Sequence, residues 1–153
     1  MNPKSALTLA VRRLLLEDTL VASEGVYQHV APREDDLPYT VFAFRPRKPM
    51  KGLKTETREY QLVVKVCAAL RGGLEAEGVA EPFKSAIRER LTQPISGVSA
   101  QTRLNVHLNP LGWTSLVPLE VGDIEEYFDV VGANKDVRRY HFGNLYDLRI
   151  TKL

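Results

Sequence analysis

The stretch Pro38–Ala69, PYTVFAFRPRKPMKGLKTETREYQLVVKVCAA, decides how the rest of the chain is read. Tyr39, Val41 and Ala43 alternate with Thr40, Phe42 and Phe44; farther on, Tyr60, Leu62, Val64, Val66 and Ala68 alternate with Gln61, Val63, Lys65 and Cys67. A period of two in β-branched and aromatic residues predicts two strands. Between them, Arg45, Arg47, Lys48, Lys51, Lys54 and Arg58 face only Glu56 in charge, and Pro46, Pro49 and Gly52 interrupt regular structure. The connection exceeds the roughly two to five residues of an ordinary hairpin, and long connections carry function more often than short ones. This basic loop is the expected working part.

Working outward toward the N-terminus, Asn2 and Pro3 form a cap and first-turn pair. Leu7, Ala10, Val11, Leu14 and Leu15 then recur at steps of three and four, which predicts an amphipathic helix ending near Asp18. A brief strand is expected over Val26–Val30, followed by an acidic surface loop containing Glu34, Asp35 and Asp36. In the other direction, Phe83, Ala86, Ile87 and Leu91 mark a second helix, expected to start near Glu81 with Pro82 in its first turn and Leu74–Val79 outside it.

The remainder reads as β. Thr102, Leu104, Val106 and Leu108 alternate with Arg103, Asn105 and His107, which predicts a half-buried strand. Asn109–Gly122 is expected to be irregular, and a further strand is expected over Ile124–Val131. The closing strand places Tyr140, Phe142, Tyr146, Leu148 and Ile150 on one side and Arg139, His141, Asp147, Arg149 and Thr151 on the other. Gly143 and Asn144 suggest a bulge or a wet spot within it. The order predicts a single α+β domain over residues 1–153: a mainly antiparallel sheet with two helices on one face and a long basic hairpin loop. Both hairpin strands are apolar on both sides, and two helices cover only one face. The Phe42 and Val63 side of the hairpin is therefore expected to need another cover, and a second copy of the chain is the commonest one.

Composition agrees with an ordinary globular chain. Its 153 residues suffice for one core, and the net charge of +2 means that any anionic partner must be met by local clustering. The single cysteine, Cys67, excludes an intrachain disulfide, and its strand register predicts an inert thiol. No apolar run reaches the roughly 18 residues of a membrane span, and no signal-peptide pattern is present, so a cytoplasmic protein with no membrane partner is expected.

Catalytic and metal-binding patterns find little support. His29, His107 and His141 have no histidine or cysteine three or four residues away, and strand-surface histidines are expected. Gly72 and Gly73 lack the spacing of a phosphate loop, and no nucleophile elbow occurs. Glu34–Asp36 suits a solvated loop better than a cation site. Glu125 and Glu126 are expected on opposite sides of a strand, and the Glu/Asp-x-Lys triplet of common metal-dependent nucleases is missing. No enzyme activity and no cofactor are expected. The basic loop keeps three readings: a solvated loop, contact with an acidic patch such as Glu34–Asp36 on a neighbouring subunit, or contact with phosphate backbone.

The Ala6–Leu15 helix, the Gly25-Val-Tyr and Leu37-Pro-Tyr-Thr-Val-Phe strands, the long loop, Arg58-Glu-Tyr-Gln-Leu-Val-Val-Lys-Val and the closing strand through Leu148-Arg-Ile form a series. Together they resemble the tail completion or tail terminator proteins of long-tailed bacteriophages. The resemblance implies a non-enzymatic virion protein that forms a homo-oligomeric ring, usually a hexamer, on the tail tube. It also implies the tube protein and the head or neck connector as partners, with non-specific DNA contact in the lumen. Assembly would take place in the host cytoplasm. A head completion or connector protein is the near alternative, and a nucleic-acid-binding α+β module using the basic loop is the alternative of another class.

Overall fold

The computed structural model describes residues 1–31, 37–47, 56–71, 75–93, 102–130 and 137–153. Two long strands form its spine: β3 (Thr57–Arg71) and β7 (Val137–Lys152), antiparallel and in continuous register from Thr57↔Thr151 to Arg71↔Val137. On one side of this pair lies β2 (Tyr39–Pro46), antiparallel to β3, and beyond it β1 (Val26–Gln28), parallel to β2. On the other side, three short strands lie in succession along β7: β4 (Trp113–Ser115), β5 (Leu119–Asp123) and β6 (Tyr127–Val130). The sheet is therefore mostly antiparallel, with β1–β2 as a parallel pair.

Helices cover one face. α1 (Pro3–Leu16) starts where expected: Asn2 Oδ1 accepts the Ser5 amide at 2.8 Å and Pro3 occupies the first turn. Its stripe of Leu7, Ala10, Val11, Leu14 and Leu15 is fully buried. These residues pack with Phe42, Phe44, Tyr60, Leu62, Val64, Val66, Tyr140, Phe142, Tyr146, Leu148 and Ile150 into the main core. Each such side chain contributes roughly 1.5–3 kcal/mol by leaving water.

Several expectations are corrected. α2 spans Ala76–Thr92 with Pro82 inside it, not at its start. Pro82 and Gly78 both lie on the exposed side of α2, so water can take the carbonyl that the proline leaves without a donor. Residues 102–108 form no strand. Thr102 caps a short helix, α3 (Arg103–Leu108), whose Leu104 and Leu108 are buried, so the described residues contain three α-helices, the third followed by a 3-10 turn over Asn109–Leu111.

The bulge falls in β5, between Glu120 and Gly122, whereas the β3–β7 register passes through Gly143 and Asn144 unbroken. A Cβ at Gly143 would lie 1.9 Å from the Val64 carbonyl oxygen, which explains glycine in a central strand by close backbone approach. Phe42 and Val63, assigned to one side of the hairpin by the sequence, stand on opposite faces, because Phe42 pairs with Val64 and Ala43 with Val63. Phe42 lies in the helix-covered core, so it needs no second copy to bury it.

Candidate interaction face

The face of the sheet away from the helices has three zones, set by the alternation of β2, β3 and β7. At one end, Tyr39, Val41 and Cys67 form a small second cluster with Ala31, and Tyr27 and Leu37 pack against it. Tyr27, Ala31 and Leu37 thus supply part of the missing cover. At the opposite end the face is polar. Arg149 Nη2 donates to Glu59 Oε1 at 2.6 Å, Arg47 Nη2 to Asp147 Oδ1 at 2.9 Å, and the Thr57 and Thr151 hydroxyls lie 3.2 Å apart. Between these zones, Ala43, Val63 and Leu145 are half-buried, with β-ladder neighbours but, among the described residues, no helix above them. The apolar surplus read from the sequence is real, and it is smaller than the alternation suggests.

The polar end borders a cavity of about 330 Å³. Leu116, Val117 and Leu119 line it together with Arg47, Glu59, Asp147 and Arg149. Leu116, Val117 and Leu119 are all more than half exposed.

The predicted cations are only partly brought together. Arg45 ends β2 and is exposed; Arg47 follows it and is tied to Asp147; Arg58 lies in β3 within 3.4 Å of Glu56. Lys48, Lys51 and Lys54 lie outside the described residues, as do Glu34, Asp35 and Asp36, so contact between the basic loop and that acidic patch is not part of the described geometry. Arg45 has no ion-pair partner among the described residues.

Sequence reading missed one polar constellation, because its members come from three strands. Cys67 of β3, Asp129 of β6 and His141 of β7 meet on the face away from the helices. His141 Nε2 lies 3.7 Å from Cys67 Sγ and 3.2 Å from Asp129 Oδ1. Tyr127 stacks on the imidazole with ring centroids 4.1 Å apart, and Lys65 reaches the Tyr127 hydroxyl at 3.4 Å. His141 is buried, against the expectation of a surface histidine, and His107 lies in α3 beside Glu17.

The electrostatics follow from burial. Burial raises the Cys67 thiol, with a Tyr39 hydrogen bond opposing, and lowers His141, with the Asp129 hydrogen bond opposing. Burial would raise the Asp129 carboxyl, but hydrogen bonds from Arg139 and His141 together hold it below its ordinary range. A fully buried thiol with a raised pKa is a poor nucleophile. Both contacts also fall on the same ring nitrogen, whereas a relay from carboxylate to base to nucleophile uses both. Among the described residues no group of three or more His, Cys, Asp and Glu side chains is placed to hold a metal ion.

The fold and this face define a two-layer α+β protein with a partly open sheet. No known protein family matches the chain, and no curated protein does. One solved structure is similar to it at 12% identity over 95% of this chain and 92% of that one, with a TM-score of 0.33. That superposition is too loose to carry either a fold or a function across.

Proposed function

We propose that this protein is a structural subunit that closes with copies of itself into a ring, a hexamer by resemblance. The ring would end the tube of a long-tailed bacteriophage tail and join it to the head or neck. The observation that carries this reading is the uncovered middle of the sheet. Among the described residues Ala43, Val63 and Leu145 have no helix above them, and Leu116, Val117 and Leu119 stand exposed at the β5 margin. Apolar surface left open in this way is normally an interaction site, and a repeated chain is the simplest partner. In this reading the tube protein and the connector bind the two ends of the ring, and the lumen meets DNA without reading its sequence.

The test is mass and shape. Purified protein at high concentration is expected to run several-fold above the 17.2 kDa of one chain and to show rings by electron microscopy. Val63→Asp and Leu145→Asp are each expected to return it to one chain with a lowered but still cooperative melting transition, since both side chains are half-buried in the central strands. Replacing Arg47, Lys48 and Lys51 by glutamate should leave the subunit folded, since exposed changes cost little, and impair assembly or joining. A wild-type chain that remains single at about millimolar concentration overturns the reading.

A further inference from the structure

The margin of the sheet formed by β5, β6 and the segments beside them is open and apolar. Leu116, Val117, Leu119, Val121, Tyr127 and Phe128 are between 44% and 64% exposed, and they make up half of the twelve exposed large apolar side chains among the described residues. β5 and β6 pair with β7 on one side and with no other strand among the described residues. An apolar edge of this kind invites a partner unless something blunts it.

Charge indicates which partner. Residues 116–130 contain Glu120, Asp123, Glu125, Glu126 and Asp129 and no lysine or arginine. Glu120 is engaged by Arg88 and Asn144, and Asp129 by Arg139. Asp123 and Glu126 share Lys84, at 3.8 and 3.5 Å, Glu126 also accepts a hydrogen bond from the Tyr140 hydroxyl, and Glu125 is exposed with no ion-pair partner among the described residues. The rim therefore carries apolar side chains on both faces, Leu119 and Tyr127 away from the helices and Phe128 against Tyr140, beside a surplus of negative charge, and fits a cationic segment.

Such a segment lies on the opposite margin of the same sheet. β1 pairs with Thr40–Phe42 of β2, so among the described residues Ala43–Pro46 is itself an edge, carrying exposed Arg45 and followed by exposed Arg47, which Asp147 shares. Arg58 lies nearby on β3, and Lys48, Lys51 and Lys54 fall between them in sequence. The order β2-β3-β7-β5 separates the cationic and acidic margins by three strand spacings, about 14 Å. A chain with opposite charges on its two margins is built to repeat head to tail, and a repeat of that kind closes into a ring when its rotation returns to the start.

We infer that the acidic, apolar rim from Leu116 to Asp129 docks the cationic end of the β2–β3 ribbon of a second copy of this chain. This rests on the ring reading and names the contact that closes the ring. Any other cationic protein segment would be a different occupant, and the experiment separates the two.

Two variants are made: a rim variant with Asp123, Glu125 and Glu126 all changed to lysine, and a ribbon variant with Arg45→Glu, Arg47→Glu, Lys48→Glu and Lys51→Glu, which makes the ribbon end net negative. Light scattering after size exclusion reads assembly, and circular dichroism checks folding. Each variant alone is expected to self-associate at least tenfold more weakly than wild type. An equimolar mixture is expected to assemble again, because every rim-to-ribbon contact then joins opposite charges, and one chain carrying both sets should assemble alone. Should the triple rim variant fail to fold, Glu125→Lys replaces it, since that side chain has no ion-pair partner to lose among the described residues.

A wild type that assembles alongside a rim variant that assembles equally well overturns this inference and leaves the ring reading standing. Loss of assembly that mixing does not restore shows that the rim binds something other than the ribbon, and also overturns it. A wild type that never assembles overturns the ring reading, and this inference with it.

Discussion

Arg88 of α2 and Glu120 of β5 meet through a charge-assisted hydrogen bond, Nε to Oε2 at 2.6 Å, which fastens the helix layer to the acidic margin of the sheet. The other carboxylate oxygen of Glu120 accepts from the buried Asn144 amide. One side chain therefore links a helix, an edge strand and the central strand β7.

Glu120→Gln should cost about 1 kcal/mol, at the low end for a bond to a charged group because Arg88 remains partly solvated. The Arg88 hydrogen bond holds the Glu120 carboxyl below its ordinary range, with burial opposing. A depressed folded-state pKa gives stability that is present above the ordinary carboxylate value and lost as pH falls through the folded value. The gap between wild type and variant, measured by urea unfolding, should therefore be widest near neutrality and close in acid. A gap that widens on acidification would contradict this account.

Gly143→Ala should be severely destabilising, by about 3 kcal/mol or more, because its Cβ would lie 1.9 Å from a backbone oxygen of the paired strand. Gly78→Ala is the contrast, with nothing within 4 Å of the added carbon on the exposed side of α2. It should stabilise by roughly 0.5–1 kcal/mol. Thermal melts of both variants decide the matter, and equal effects would mean that β3 and β7 are not so closely apposed.

Asn105 is buried and bridges α3 to β4 twice: its Nδ2 donates to the Ser115 carbonyl at 2.9 Å, and its Oδ1 accepts the Ser115 amide at 2.7 Å. Asn105→Leu leaves both backbone groups without that partner and should cost about 2–4 kcal/mol, at roughly 1–3 kcal/mol per orphaned buried group. Denaturant midpoints provide the measurement, and a variant as stable as wild type would show that α3 is held by its leucines alone.

His141 is lowered by burial, so below its ordinary value of about 6.5 the unfolded chain takes up a proton more readily than the folded one. Wild-type stability should fall as pH drops from that value toward the folded one, and His141→Asn should flatten this part of the curve. Beside it, Cys67 is fully enclosed, so a thiol reagent should label the native protein only as fast as it opens and label the unfolded chain at once. Rapid stoichiometric labelling of the native protein would contradict the enclosed position.

The sequence by itself determined α1, the β2–β3 ribbon and β7, because a capped 3.6-residue stripe and a long period of two each match one template over many residues. It left other elements to tertiary structure. In residues 102–108, Leu104, Val106 and Leu108 alternate as a strand would, yet Leu104 and Leu108 are also one helical turn apart. Burial of both leucines, exposure of Val106, the Thr102 cap and the Asn105 bridge to Ser115 decide for the helix. β6 lies within the strand expected over Ile124–Val131, whereas β5 escaped sequence reading because its acidic, half-exposed residues are ordered by pairing to β7, a partner that local pattern does not reveal. The rim and the Cys67–His141–Asp129 cluster share that cause: each gathers residues from separate strands, and only the register of a long central strand sets them side by side.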